Sequence, residues 1–234
     1  MSQILIGDVL VTFRQSNHEN SFRAAASETV KYWPNGYVPY FFEEDYPEPF
    51  KEQIRYGCKA WSKHGGVLCS EVPRPNNPDD AVGKVRIQRY SGCYATAGYR
   101  ESIALVLNVS EHCLFPRTYI HEWGHVLGLH HEHQRPDRDQ HISIDFNKLP
   151  ERWHNAHAIL ENLIPHGTYD KLSIMHYRNQ WNAFSSKINP NFSNFGGGPH
   201  AYKISEGDKD WVREIYGPPL ISSHPESTIF HSYP

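Results

Sequence analysis

No stretch of the 234-residue chain approaches the ~20 apolar residues that a membrane-spanning helix needs, so no span is expected. Basic residues are not in excess. The 23 Lys and Arg against 26 Asp and Glu leave a net charge of −3, with a pI near 6.6. The basic face that a nucleic-acid partner would require is therefore absent. No secretory leader is legible: Met1 to Val11 is apolar but short, lacks a basic start and is broken by Asp8. Cysteine is sparse, with Cys58, Cys69, Cys93 and Cys113 only, and none stands at a metal-binding spacing. Histidine is plentiful at 16 residues. Most lie outside any ligand spacing and are expected at the surface. The length and the 38% hydrophobic content suit one large domain or two lobes around a cleft.

The most informative stretch runs from Thr118 to Asp139, TYIHEWGHVLGLHHEHQRPDRD. His121 and His125 stand four apart, which on a helix stacks them roughly 6 Å apart at Cβ. Two imidazoles at that spacing can share one cation. Glu122 points to the open side of such a site. Gly128 lets the chain leave the helix through a left-handed turn, and His131 can then swing back as a third ligand. Three imidazoles with one position left open describe a catalytic zinc site, not a closed structural one.

The pattern His-Glu-x-x-His-x-x-Gly-x-x-His is the metzincin signature. The run His131 to Asp139, with Glu132 after the third histidine and Arg135 to Asp139 closing it, resembles the astacin family. So does Ser173-Ile174-Met175-His176-Tyr177, a Met-turn preceded by Tyr169-Asp170. The resemblance extends from about Ala24 to Gly217. It implies an α+β, two-lobed metzincin fold: a mixed twisted sheet with the active-site helix in the upper lobe, an irregular and helical lower lobe, and a zinc cleft between. It also implies one catalytic Zn²⁺ on His121, His125 and His131, with Glu122 as general base. Tyr177 would be a fifth ligand at rest and an oxyanion donor during turnover, and Met175 an apolar floor. The partner would be an extended peptide or protein substrate, met by a monomer with neither nucleic acid nor membrane. Two alternatives stand beside this reading. One is a serralysin-like metzincin, which Glu132 argues against; the other is a zinc-bearing binding module without turnover, which Glu122 argues against.

Further landmarks follow from the same resemblance. Leu5-Ile6-Gly7-Asp8 resembles the Phe-x-Gly-Asp motif of astacin propeptides, whose Asp takes the metal position and silences the zymogen. The bland reading is a Gly-Asp turn between two short strands. The block around Trp33 resembles the start of mature astacins and places a new terminus near Ala24, after Arg23; its freed amine would reach Glu132. Residues 1–23 then form a propeptide-like segment, 24–217 the catalytic domain (upper lobe 24–131, lower lobe 132–217), and 218–234 a loose tail. Cys93 and Cys113 match the shorter astacin bridge, worth ~3 kcal/mol on the chain-entropy view. Cys69 resembles a half-cystine whose usual C-terminal partner has no counterpart here. That leaves Cys58 as its partner, with free buried thiols as the alternative. An even cysteine count suits a secreted protein. Arg178, beside Tyr177, is placed to favour an acidic residue after the cut.

Periodicity supplies the elements: a strand at Tyr37 to Phe42, and a helix after Pro49 with Phe50, Ile54, Cys58 and Trp61 on one face. Strands are also expected at Val85 to Ile87, extending toward Tyr90, and at Ile103 to Val109. The astacin resemblance implies that the latter borders the cleft and pairs with substrate. Ile142 to Leu163 reads as helical turns interrupted by Pro150, and Asn191 to Pro199 as a flexible loop. Ser205 and Asp208 form a capping-box start to a last helix. Asn108 and Asn191 head glycosylation sequons.

Overall fold

The structure, a computed structural model, describes residues 2–13, 30–113, 115–200 and 202–220. The strands are β1 (Ser2–Ile6), β2 (Val9–Phe13), β3 (Tyr37–Phe42), β4 (Leu68–Glu71), β5 (Val85–Gln88), β6 (Cys93–Thr96) and β7 (Leu105–Val109), of which β7 is apolar and buried almost throughout. They form one mixed sheet in the order β1-β2-β6-β7-β5-β3-β4. Two helices, α1 (Glu48–Ser62) and α2 (Pro116–Leu127), belong to the same lobe. The stripe Phe50, Ile54, Cys58 and Trp61 of α1 is buried, and the helices are pinned by reciprocal indole bonds. Trp61 Nε1 donates to Ile120 O at 2.7 Å and Trp123 Nε1 to Ile54 O at 2.8 Å. Both indoles are fully buried with their single donor satisfied, as a core tryptophan requires.

Two strand expectations need correction. Tyr90 lies beyond β5 and is exposed. The strand around Ile103 to Val109 begins at Leu105 and does not border the cleft, because β7 is paired on both sides, to β5 and to β6. The N-terminal hairpin joins the sheet through β6. The outer edge of β6 carries β2 in parallel register, Val9 opposite Ala95 and Leu10 opposite Thr96.

The second lobe has little regular structure. β8 (Ile142–Ile144) pairs antiparallel with β9 (Phe184–Ser186), and short 3₁₀ turns make up most of the rest. Phe195, in the segment whose composition reads as a flexible loop, is 1% exposed and packs with Ile142 and Phe184. The last helix, α3 (Glu206–Tyr216), opens on the capping box, but its Trp211 and Val212 join the core of the upper lobe. Cys58 is bonded to Cys69 and Cys93 to Cys113. Asn108 is fully buried, and its amide donates to Gly92 O at 2.7 Å, so a folded chain offers no glycan acceptor there; Asn191 is exposed. Among the described residues no helix is long and apolar enough to cross a membrane. The Arg23–Ala24 cleavage point and most of the tail lie outside the described residues.

Candidate metal centre

Three of the four groups that meet in the cleft come from α2 and the turn after it. His121 and His125 project from one face of the helix, and Gly128 ends it at φ 114°, a conformation that favours glycine. The chain then returns with His131, which is fully buried, as is His125. The fourth group arrives from the other end of the sequence. β1 and β2 form a hairpin whose turn is Gly7-Asp8. Both readings of that motif therefore coexist: it is a turn between strands, and it delivers a carboxylate. Gly7 sits at φ +66°, and a Cβ on it would lie 2.3 Å from the Tyr177 hydroxyl. Only glycine lets the turn come this close.

Asp8 Oδ2 stands 3.2 Å from His121 Nε2, and Oδ1 stands 2.6 Å from His131 Nε2 and 3.7 Å from His125 Nε2. The Tyr177 hydroxyl donates to Asp8 Oδ1 at 2.9 Å. One ligand atom from each of Asp8, His121, His125 and His131 falls within 4.8 Å of every other.

The proton inventory decides what belongs between them. His121 Nδ1 donates to Ile174 O, His125 Nδ1 to Leu129 O and His131 Nδ1 to Gln134 Oε1, at 2.7, 2.7 and 2.8 Å. Gln134 is oriented by its own amide, which donates to Ala158 O. A neutral imidazole carries one proton, so each Nε2 presents a bare lone pair. Two of those lone pairs, on His121 and His125, are only 3.1 Å apart. Extra protons do not relieve this: burial pushes His121 down to about 3 and lowers His125 as well. Three convergent lone pairs and a carboxylate without protons between them fit a bound cation. Three nitrogens and one oxygen are the donor set of a four-coordinate zinc. The outer acceptors fix each tautomer, as metal-ligating histidines require.

The remaining candidates surround this point. Glu122 is 1% exposed, and its Oε2 has no hydrogen-bond partner among the described residues. Burial first, and then the Asp8 charge, hold its carboxyl well above the usual carboxylate range. Met175 lies beneath α2, where Gly124 makes room for it; a Cβ there would sit 2.5 Å from Met175 Sδ. Tyr177 packs its ring 4.4 Å from His131 and 4.3 Å from His133. Glu132 faces away, accepting from Arg135 Nη1 at 2.9 Å and from the Asp170 N–H at 2.7 Å, and burial pushes its pKa up to about 8. It lines a cavity of about 800 Å³ together with Val30, Tyr32, Asp170 and Asp208.

Sequence reasoning missed several residues. His133, His157 and His176 are not at the surface but buried against Tyr177 or its backbone. Arg117, at the start of α2, donates to His176 O at 2.7 Å and sets its guanidinium 3.4 Å from His121 Nδ1. Gln134 was readable only as part of a motif, although its spacing of three from His131 suits a hydrogen bond across one turn.

Residues 25–216 match the family profile described as Astacin, a peptidase family. The chain is 29% identical to Tolloid-like protein 1 of Homo sapiens over 226 residues, 90% of this chain and 21% of that protein. It is 30% identical to Bone morphogenetic protein 1 of Xenopus laevis over 209 residues, 83% and 28% of the two chains. It thus spans about a fifth to a quarter of the length of these relatives. The fold is similar to that of high choriolytic enzyme 1, a hatching enzyme zinc-protease from Oryzias latipes. That match has a TM-score of 0.65 at 21% identity, over 86% of this chain and 98% of the other. The turn from helix to third histidine, the Met-turn beneath it and the matched length agree, and the chain belongs to the astacin family of peptidases.

Proposed function

We propose that the chain is a zinc-dependent endopeptidase held latent by its own N-terminal hairpin. The observation that carries this reading is the set of three unprotonated Nε2 atoms facing one carboxylate. A zinc ion held there would supply a Lewis acid for the scissile carbonyl and lower the pKa of a water at the site. Glu122, buried beside the cluster with an unpartnered oxygen, takes the proton from that water and hands it to the departing amine. Tyr177, released from Asp8, donates a hydrogen bond to the carbonyl oxygen as its charge grows. An extended substrate pairs with β6, the rim strand once the hairpin is set aside, where main-chain bonds bind peptides of varied sequence.

Latency is supported by what the hairpin covers. β2 occupies the outer edge of β6 while Asp8 stands among the histidines, so one segment blocks both substrate and chemistry. Cutting near Ala24 would release it, and the family match beginning at residue 25 supports a catalytic unit that starts there. The freed amine would enter the cavity at Glu132, whose buried carboxyl has room for a cation beside it. The two disulfides support export from the cell. Arg178, exposed beside Tyr177, would favour an acidic residue after the cut.

The test pairs zinc content with peptide hydrolysis of the full chain, before and after limited trypsin, in wild type and Glu122→Ala. Zinc is expected in both proteins. Hydrolysis should appear only after cleavage, and the variant should be slower by about 10²-fold or more. Activity in the uncut chain would discard latency, and activity retained by Glu122→Ala would discard the base.

A further inference from the structure

The acceptors that fix the three imidazoles come from very different distances along the chain. His125 uses Leu129 O, four residues on, and His131 uses Gln134 Oε1, three residues on. Those acceptors belong to the same helix end and the same turn as the histidines they hold. His121 uses Ile174 O, 53 residues away. That acceptor is present only if the turn at residues 170–177 docks beneath α2.

The group that docks it is Asp208. Its Oδ2 accepts the Ile174 N–H at 2.8 Å and the Ser205 N–H at 3.1 Å, and its Oδ1 accepts the Ser173 hydroxyl at 2.7 Å. Ser173 Oγ in turn accepts the Met175 N–H at 2.9 Å. One carboxylate, 4% exposed and in no ion pair among the described residues, thus fastens two consecutive residues of the turn directly and a third through Ser173. A capping box needs only the contacts with Ser205. The two extra donors are unrelated to α3, and they end at the carbonyl that holds a metal-site histidine.

We propose that Asp208 is a positioning residue of the metal centre, holding the Ile174 carbonyl where it sets the tautomer and angle of His121. The inference rests on the zinc reading of the cluster. It makes the last helix a third tier behind the ligand and its backbone acceptor.

The test compares zinc affinity, by chelator competition, and the denaturation midpoint in wild type, Asp208→Asn and Ser205→Ala. Asp208→Asn keeps the shape but removes the charge and one acceptor, because its NH2 group must take the place of the oxygen that accepts the Ser173 hydroxyl or of the one that accepts the two N–H groups. Ser205→Ala removes the cap hydroxyl that accepts from the Asp208 N–H and leaves the contacts to the turn intact. Both should lower the midpoint. Zinc affinity should fall about 10–100-fold in Asp208→Asn, the range for loss of an outer-shell partner, and stay near wild type in Ser205→Ala. Equal affinities in Asp208→Asn and wild type, or an equal loss in Ser205→Ala, would overturn the proposal. Should Asp208→Asn fail to fold, Ser173→Ala removes one of the contacts; a weaker zinc affinity there supports the proposal and an unchanged one overturns it. Failure of the wild-type chain to bind zinc would instead strike the metal reading itself.

Discussion

The lobe above the cleft is held by hydrocarbon, and the region below it by buried charge. Above, α1 and α2 lie on the sheet through Ile54, Trp61, Trp123, Val85 and Leu105, all fully buried. Below, a smaller apolar cluster among the described residues joins Ile142, Phe184 and Phe195 with a few partly buried neighbours. Its loops are tied instead by two guanidinium groups. Arg138 is 5% exposed, and its Nη1 donates to His133 O at 2.9 Å and to His157 O at 2.6 Å. Arg135 forks onto Asp137 at 2.9 and 2.7 Å and also reaches Glu132, His166 O and Gly167 O. The comparison shows how irregular backbone can be buried when its carbonyls have named donors. It also explains how the lower region can support a site whose histidines come from α2 and the turn after it: polar ties fix angles, whereas apolar packing chiefly excludes water.

The contrast can be broken most strongly at Arg138. Arg138→Met fills similar space but leaves two buried carbonyls without their donor, and a loss of about 3–5 kcal/mol is expected in chemical denaturation. A loss below about 1 kcal/mol would show that the lower lobe does not depend on this tie. Next in size is Ile54→Ala in the upper core, expected to cost about 3 kcal/mol through lost burial and a cavity. Its zinc affinity should remain that of wild type, which equilibrium competition with a chelator would check; a large fall would dissolve the division of labour between the regions. The smallest effect is expected from Gln134→Ala. Zinc affinity should drop about 10-fold and stability by about 1–2 kcal/mol, because His131 loses its acceptor and Ala158 O its donor.

The two regions also differed in how far they could be read in advance. In the upper lobe the spacing 50, 54, 58 and 61 named the buried face of α1 directly, since apolar period and burial are the same information there. In the lower lobe Arg135, Arg138, His133 and His157 look like surface residues by type, and nothing in their spacing announces the carbonyls they serve. The rim strand was misplaced for a related reason. Leu105–Val109 is the more apolar strand and lies interior; the strand that becomes the rim when the N-terminal hairpin is set aside is the short Cys93–Thr96, whose weaker pattern did not reveal it.

The sequence alone determined the family, the three histidines and the carboxylate that meets them. Helix periodicity and one glycine place the three histidines locally, whereas Asp8 sits in a local turn that reaches them only because β2 docks on β6. Tertiary structure decided which acceptor fixes each histidine, where the rim lies, and that a carboxylate on the last helix reaches the turn behind His121. The two contacts at Ile174, with His121 and with Asp208, join residues 53 and 34 positions apart, and only the docking of whole elements brings them within 3 Å.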